Sequence, residues 1–162
     1  MHSPEYCLAS AGLSHCGIFR YWLRRGWNQE LPQCTFIGLN PSTADAVSDD
    51  PTLRRCVGFA KNWGFGSLLL VNLFAMRATY PEMLRQATDP IGPRNYLWLR
   101  RAVDESSLVI AAWGNGGNLL QQQSRLIPKL GNLYCLGTTA LGMPRHPLYC
   151  KRTCVPKPFK SR

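Results

Sequence analysis

Apolar positions along the chain fall into short, nearly continuous runs separated by amphipathic segments. Such runs are typical of strands buried on both faces of a sheet, and they lie at 34–39, 67–73, 108–113 and 133–136. The segments between them have helical spacing, at 51–63, 81–87, 93–104 and 118–130. Strands that alternate with helices predict an α/β fold, a three-layer αβα sandwich with a central four-stranded parallel sheet.

The two ends of the chain differ from this pattern. Residues 1–31 are expected to form an extended or irregular arm, within which 18–27 mixes apolar and basic side chains as a strand can. The tail at 156–162 is basic, contains two prolines and is expected to be loose. Since no repeat or interior linker is visible, residues 1–162 are interpreted as one domain.

Composition and charge narrow the class of partner. Hydrophobic residues make up 45% of the 162 residues and charged residues 17%, which is the balance of a globular protein. Lysine and arginine number 19 against 9 acidic residues, so the formal net charge is +10. A positive field of this size favours polyanions, and we expect a nucleic-acid partner, DNA before RNA, with no protein partner evident.

The seven cysteines are an odd number and include no CxxC pair, which argues against a secreted disulfide framework. The first residues, MHSPEY, lack the basic start and apolar run of a signal peptide. No apolar stretch is long enough to span a bilayer. These features predict reduced thiols, a cytoplasmic location and no membrane association.

Polar side chains follow each predicted strand, where open parallel sheets bind ligands. The first strand ends in GLNPST at 38–43, and the second carries Asn72 near its end. The third ends in WGNGG at 113–117, and RHPLY at 145–149 follows the fourth. Because these segments converge on one rim of a parallel sheet, the sequence predicts a shared site there.

These segments resemble the motifs of the uracil-DNA glycosylase superfamily. GLNPS is closest to the GINPG form of its mismatch-specific branch, and LLLVNLFAMRA resembles the strand that supplies a base-reading asparagine. LVIAAWG resembles the strand ending in tryptophan-glycine, and His146-Pro147 resembles the histidine-proline motif. The resemblance covers residues 34–149. GLNPSTAD, DDPTLRRC, NLFAMRAT and RHPLY are also similar to the bacterial and phage family DUF1643, which has no established activity.

The resemblance implies catalytic roles for Asn40 and His146. Asn40 would place a hydrolytic water, and His146 would donate to the base as it leaves with negative charge. Asn72 would read the edge of a pyrimidine with its amide donor and acceptor. The alternatives are an Asx turn before Pro41 for Asn40, a paired core asparagine for Asn72 and a backbone-held loop histidine for His146.

Further residues are expected to bind the base. Gly38, Leu39, Pro41 and Pro147 belong to the two motifs. Ser42 stands near the place where the branch that removes uracil has a tyrosine, so the pocket has room for a group at the pyrimidine 5-position. An aromatic side chain is needed to stack on a flipped base. The candidates are Phe74, Phe59 and Trp63, with core packing favoured for the last two.

The segment after the first motif carries both acidic and basic groups. Asp50 is interpreted as the N-cap of a helix that begins at Pro51 and ends before Gly64. Arg54 and Arg55 in that helix, together with Arg145 beside the histidine, are expected to hold phosphates. Three of these residues mark the helix boundaries, Asp50, Pro51 and Gly64, and three are predicted to bind phosphate, Arg54, Arg55 and Arg145.

His146, Cys150 and Cys154 are spaced by four, which would align them on one helix face. The iron–sulfur branches of the superfamily use four cysteines in another pattern, so we expect no metal and no other cofactor.

The predicted function is a DNA glycosylase-like enzyme that hydrolyses the N-glycosidic bond of a flipped pyrimidine, including one substituted at the 5-position. The acidic water-positioning residue of the uracil branch is absent. A non-catalytic nucleic-acid-binding module and an enzyme acting on a free nucleotide or nucleoside are the alternatives.

Overall fold

The computed structural model describes residues 6–161. This part of the chain has seven strands: β1 Leu8–Leu13, β2 Arg20–Gly26, β3 Gln33–Gly38, β4 Ser67–Asn72, β5 Leu108–Ala111, β6 Tyr134–Cys135 and β7 Lys157–Pro158. It also has four α-helices: α1 Pro51–Asn62, α2 Pro81–Gln86, α3 Asn95–Glu105 and α4 Gln122–Leu130. Two 3-10 segments, Gly114–Gln121 and Pro147–Tyr149, complete the regular structure.

The four predicted apolar runs form the parallel centre of one sheet. Strand β3 pairs in parallel with both β4 and β5, and β5 pairs in parallel with β6. The mixed α/β class is therefore confirmed. The sheet is larger than predicted, because its full order is β1-β2-β4-β3-β5-β6-β7 and the three added strands are antiparallel. The prediction of a purely parallel four-stranded sheet was wrong.

The added strands come from the two ends of the chain. The expected arm contains the hairpin β1–β2, and β2 pairs with β4 from Leu23 to Gly26. The strand expected within 18–27 is thus present. The segment expected to be a loose tail pairs with β6, and Phe159 packs edge-on against Trp113. Residues 1–5 and 162, which belong to the same expectations, lie outside the described residues.

Two apolar cores fill the space on either side of the sheet, because side chains alternate between the faces of each strand. On one face, α1 packs against alternate positions of the central strands; its core includes Phe36, Leu53, Phe59, Leu70 and Ile110. On the other face, α3 and α4 cover the sheet; their core includes Ile37, Val71, Leu99, Val109 and Leu126.

The helix boundaries follow local signals. Asp50 caps α1, since its Oδ1 accepts from the backbone N–H of Leu53 at 2.7 Å, and the predicted helix there is confirmed. The predicted helix at 118–130 begins later, at Gln122. Leu120 and Gln121 have φ values of 51° and 59°, which interrupt the helical path.

Between residues 6 and 161, the structure contains no helix that is both long enough and apolar enough to cross a membrane.

Candidate functional site

A cleft of about 330 Å³ opens at the carboxyl ends of β3 and β4. Parallel strands direct their terminal loops to the same rim, and the cleft lies where ligands bind in open α/β sheets. The structure brings seven of the sequence-predicted residues to its walls: Gly38, Leu39, Asn40, Ser42, Asn72, His146 and Pro147. The spatial convergence is a finding, whereas the chemical roles of these residues stay predictions.

Two residues predicted to contact a base do not line this cleft. Phe74 is fully buried in the core of the opposite face, because the chain turns after β4 and its backbone N–H donates to Leu39 O at 2.9 Å. The expected stacking role for Phe74 does not fit this position. Pro41 is buried and lies between two cleft residues, Asn40 and Ser42. The aromatic walls are instead Phe36 and Trp113.

Asn40 is fixed by its amide nitrogen. Nδ2 donates to Ala78 O at 2.8 Å and to Pro41 O at 3.0 Å. Both partners are carbonyl oxygens, which settles the orientation of the amide because only its nitrogen can donate. This arrangement differs from an Asx turn, in which the side-chain oxygen accepts a backbone N–H. Within residues 6–161 Oδ1 of Asn40 accepts no hydrogen bond, so it can accept one from another molecule.

Asn72 is only 3% exposed at the end of β4. Its Nδ2 is buried and has no hydrogen-bond partner among residues 6–161. A buried donor without a partner costs about 1–3 kcal/mol. Asn95 fixes the backbone here by donating to the carbonyl oxygens of Asn72 and Leu73 at 2.9 and 3.0 Å. The interpretation of Asn72 as a paired core asparagine therefore does not fit its surroundings.

His146 is oriented by the 3-10 segment that follows it. Its Nδ1 accepts from the backbone N–H of Leu148 at 3.2 Å, so the neutral ring carries its proton on Nε2. Burial lowers the pKa of His146 below 6.5, and the negative charge of Asp50 opposes that effect. The ring thus presents a neutral N–H donor at physiological pH.

Sequence reasoning missed Arg20 as a cleft residue. This arginine of β2 is 2% exposed, and its Nη1 donates to Ala44 O at 2.7 Å. Its Nε is buried without a partner among the described residues. Burial lowers the pKa of Arg20 to about 10, against the attraction of Asp50. The only sequence signal was the apolar–basic mixing of 18–27, which does not show which arginine faces inward.

The loop between β3 and α1 is held by a second buried arginine. Arg25 is 1% exposed; its Nε donates to Asp49 Oδ1 at 3.0 Å, and its Nη2 donates to Ser48 O at 3.3 Å. The carbonyl of Asp45 accepts from the same Nη2. These contacts fix the chain immediately before Asp50, which lines the cleft.

The three arginines predicted to hold phosphates line two cavities that adjoin the cleft. A groove of about 530 Å³, lined by Arg54, Arg55 and Arg152, shares Leu148 with the cleft. A second cavity of about 280 Å³, lined by Arg145, shares His146 with the cleft. Arg152 was not predicted.

The guanidinium of each predicted phosphate-binding arginine also donates one hydrogen bond to a backbone carbonyl. Arg54 donates to Asp49 O at 3.1 Å, Arg55 to Cys150 O at 2.7 Å and Arg145 to Thr138 O at 3.1 Å. A guanidinium has five N–H donors, so further donors are left for a phosphate. The backbone contacts hold the side chains in place and reduce the entropy that a ligand must freeze.

No set of three or more histidine, cysteine, aspartate or glutamate side chains in the described part of the chain is placed to hold a metal ion. The arrangement is that of an α/β protein with a polar cleft at the strand ends, flanked by arginines. A sequence model of one protein family matches residues 20–148, and the chain belongs to that family, proteins of unknown function called DUF1643. No curated protein and no solved structure matched the chain.

Proposed function

We propose that the protein is a DNA glycosylase-like enzyme that hydrolyses the N-glycosidic bond of a flipped pyrimidine. The observation that carries this proposal is the meeting of Asn40, Asn72 and His146 in one cleft. Each has an amide or imidazole group that its protein contacts leave available or unsatisfied. A cleft of about 330 Å³ lies at the small end of the range of ligand sites, which suits a single base with its sugar.

The proposed roles follow from the fixed orientation of each group. Asn72 donates from Nδ2 to an acceptor on the base, which removes the cost of the unpaired donor. His146 donates from Nε2 to a base oxygen that gains negative charge as the bond breaks. Asn40 accepts a hydrogen of the attacking water at Oδ1, because its nitrogen is occupied by Ala78 O.

Several features support nucleic acid as the carrier of the base. The net charge is +10, and arginines line two cavities that adjoin the cleft. Phosphates on either side of a flipped nucleotide would meet these arginines while the base enters the cleft. Ser42 on the cleft wall is small, which leaves room for a pyrimidine with a group at its 5-position.

The test is an abasic-site assay on a panel of DNA duplexes, each carrying one modified pyrimidine. We expect release of at least one base by the parent protein in single-turnover conditions. A double variant, Asn40→Ala with His146→Asn, is the matched control and should bind the same duplexes without releasing the base. Release at near the parent rate in the double variant would show that Asn40 and His146 do not carry the reaction and would count against the proposal.

A non-catalytic nucleic-acid-binding module is the second candidate. The observation in its favour is that the arginine-lined groove, at about 530 Å³, is larger than the cleft. Binding of DNA without release of any base in the panel would support this candidate and reject the enzymatic one.

A further inference from the structure

A carboxylate lies in the cleft that the strand-end motifs do not account for. Asp50 lines the cleft together with Asn40 and His146, and it is 8% exposed. Its Oδ1 caps α1 through the backbone N–H of Leu53. A carboxylate has a second oxygen, and the helix cap leaves Oδ2 of Asp50 able to accept another hydrogen bond.

The charge of Asp50 acts on other groups of the cleft. It opposes the effect of burial on the pKa of both Arg20 and His146, so both side chains are within electrostatic reach of Asp50. The N-terminus of α1 and the guanidinium of Arg20 both favour negative charge at this position.

The position of Asp50 is rigid. Asp50 is the N-cap of α1, a helix of twelve residues whose first position is Pro51. The preceding residue, Asp49, is held by Arg25 at 3.0 Å and accepts from the hydroxyl of Tyr6 at 2.8 Å. A catalytic group gains most when its supporting contacts fix it before the substrate arrives.

We propose that Asp50 is the general base of this cleft, supplying the acidic group that the GLNPS motif lacks. This inference rests on the proposed glycosylase function. The C1′–N bond breaks and its electron pair leaves with the base. The oxygen of the water bonds to C1′, one of its protons passes to Oδ2 of Asp50, and that proton then moves to the ring nitrogen of the departed base. One water is consumed, and Asp50 returns to the carboxylate.

Asn40 and Asp50 have different roles toward the attacking water. Oδ1 of Asn40 accepts one hydrogen and fixes the position of the oxygen, whereas Asp50 accepts the proton that must leave. An amide can orient water but cannot take its proton. General-base catalysis by a positioned side chain contributes about 10²–10⁴-fold to a rate.

The experiment separates the charge of Asp50 from its role as a cap. Asparagine and serine are N-caps as good as aspartate, so Asp50→Asn and Asp50→Ser should keep α1 folded. Both should lower single-turnover base release about a hundredfold or more, while DNA affinity stays near that of the parent. Asp45→Asn is the matched control. Asp45 accepts backbone N–H groups from Val47 and Ser48 in the same loop but does not line the cleft, so this variant should keep the parent rate.

A second measurement does not depend on turnover. In NMR titrations, Asp50→Asn should lower the pKa of His146, because the charge that opposes burial is removed, and Asp45→Asn should leave it near the parent value. A near-parent rate in Asp50→Asn, with an active parent, would overturn the role of Asp50 and leave the proposed function standing. A parent that releases no base would overturn both. An unchanged pKa of His146 in Asp50→Asn would contradict the placement of the carboxylate in the cleft.

Discussion

The side chain of Asn72 lies directly against Gly38, so that a Cβ atom on residue 38 would stand 2.7 Å from Asn72 Oδ1. The two residues are register partners at the ends of the parallel strands β3 and β4. Real Cβ atoms essentially never approach an oxygen so closely, so any larger residue at 38 must displace the amide. The glycine of the GLNPS motif therefore determines where the unpaired Nδ2 of Asn72 is held.

Gly38→Ala should displace the Asn72 amide and reduce base binding nearly as much as Asn72→Ala does. The added methyl group should also destabilise the fold by about 1–3 kcal/mol, as overpacking in a tight site does. The measurement is a double-mutant cycle on single-turnover base release, with denaturant unfolding of each variant. If Gly38 acts through Asn72, adding Gly38→Ala to Asn72→Ala should change the rate little. Additive effects on the rate would show that the two residues act independently.

Asn40→Ala should affect turnover more than stability. It removes the proposed acceptor for the water and two hydrogen bonds to the carbonyls of Ala78 and Pro41. An ordinary hydrogen bond contributes about 0.5–1.5 kcal/mol net, so a modest fall in the free energy of unfolding is expected. The rate of base release should fall about a hundredfold, with DNA affinity near that of the parent. A large loss of stability with an unchanged rate per folded molecule would assign Asn40 to the structure of the loop alone.

His146 should make stability depend on pH in a defined direction. Its folded-state pKa is lowered by burial, so between that value and about 6.5 the unfolded chain binds more protons than the folded one. Stability from this residue is therefore complete above about pH 6.5 and is lost as the pH falls through the folded-state pKa. His146→Asn keeps an acceptor near the position of Nδ1 and should flatten the dependence. The measurement is the denaturant midpoint from pH 5 to 8.

The control for the pH experiment is His15→Gln, since His15 is exposed on the loop between β1 and β2. This variant should keep the parent's pH dependence. Parallel curves for the parent and His146→Asn would contradict the assignment.

The centre of the fold was predictable because its signals are local. Apolar runs predicted the four strands β3, β4, β5 and β6, and Asp50 followed by Pro51 predicted the start of α1. Because ligands of open parallel sheets bind beyond the carboxyl ends of the strands, the sequence also predicted that Asn40, Asn72 and His146 lie at one rim. Gly38 also appeared in the motif, although its contact with Asn72 depends on the register of two strands.

The parts that sequence reasoning missed depend on contacts between distant segments. Arg20 and Arg25 are buried because a loop more than twenty residues further along the chain offers carbonyl and carboxylate oxygens to them. Their charge alone predicted solvent exposure. Strand β7 has only two residues and is defined by pairing with β6, so its composition indicated a loose tail. Arg152 lies in the groove only because the chain after the 3-10 segment packs near α1.

DNA binding should weaken steeply with salt, and the groove arginines should account for part of that dependence. Each phosphate neutralised on B-form DNA contributes about −0.9 to the slope of log K against log salt. Arg54→Ala and Arg152→Ala remove cations from the groove beside the cleft, and each should make the slope less negative by about one. Arg55 is less suitable for this test, because its contact with Cys150 O also supports the segment after His146.

Arg100→Ala is the matched control for the groove. It removes the same charge, but Arg100 lies on α3, which packs on the opposite face of the sheet from α1, and it pairs with Asp104 at 2.8 Å. A general effect of net charge would change affinity equally in all three variants, whereas phosphate contacts in the groove would change it in Arg54→Ala and Arg152→Ala alone. The measurement is fluorescence anisotropy with one duplex over a series of salt concentrations. Equal slopes for the parent and the two groove variants would place the DNA on another surface, because a charge that contacts no phosphate releases no counterion.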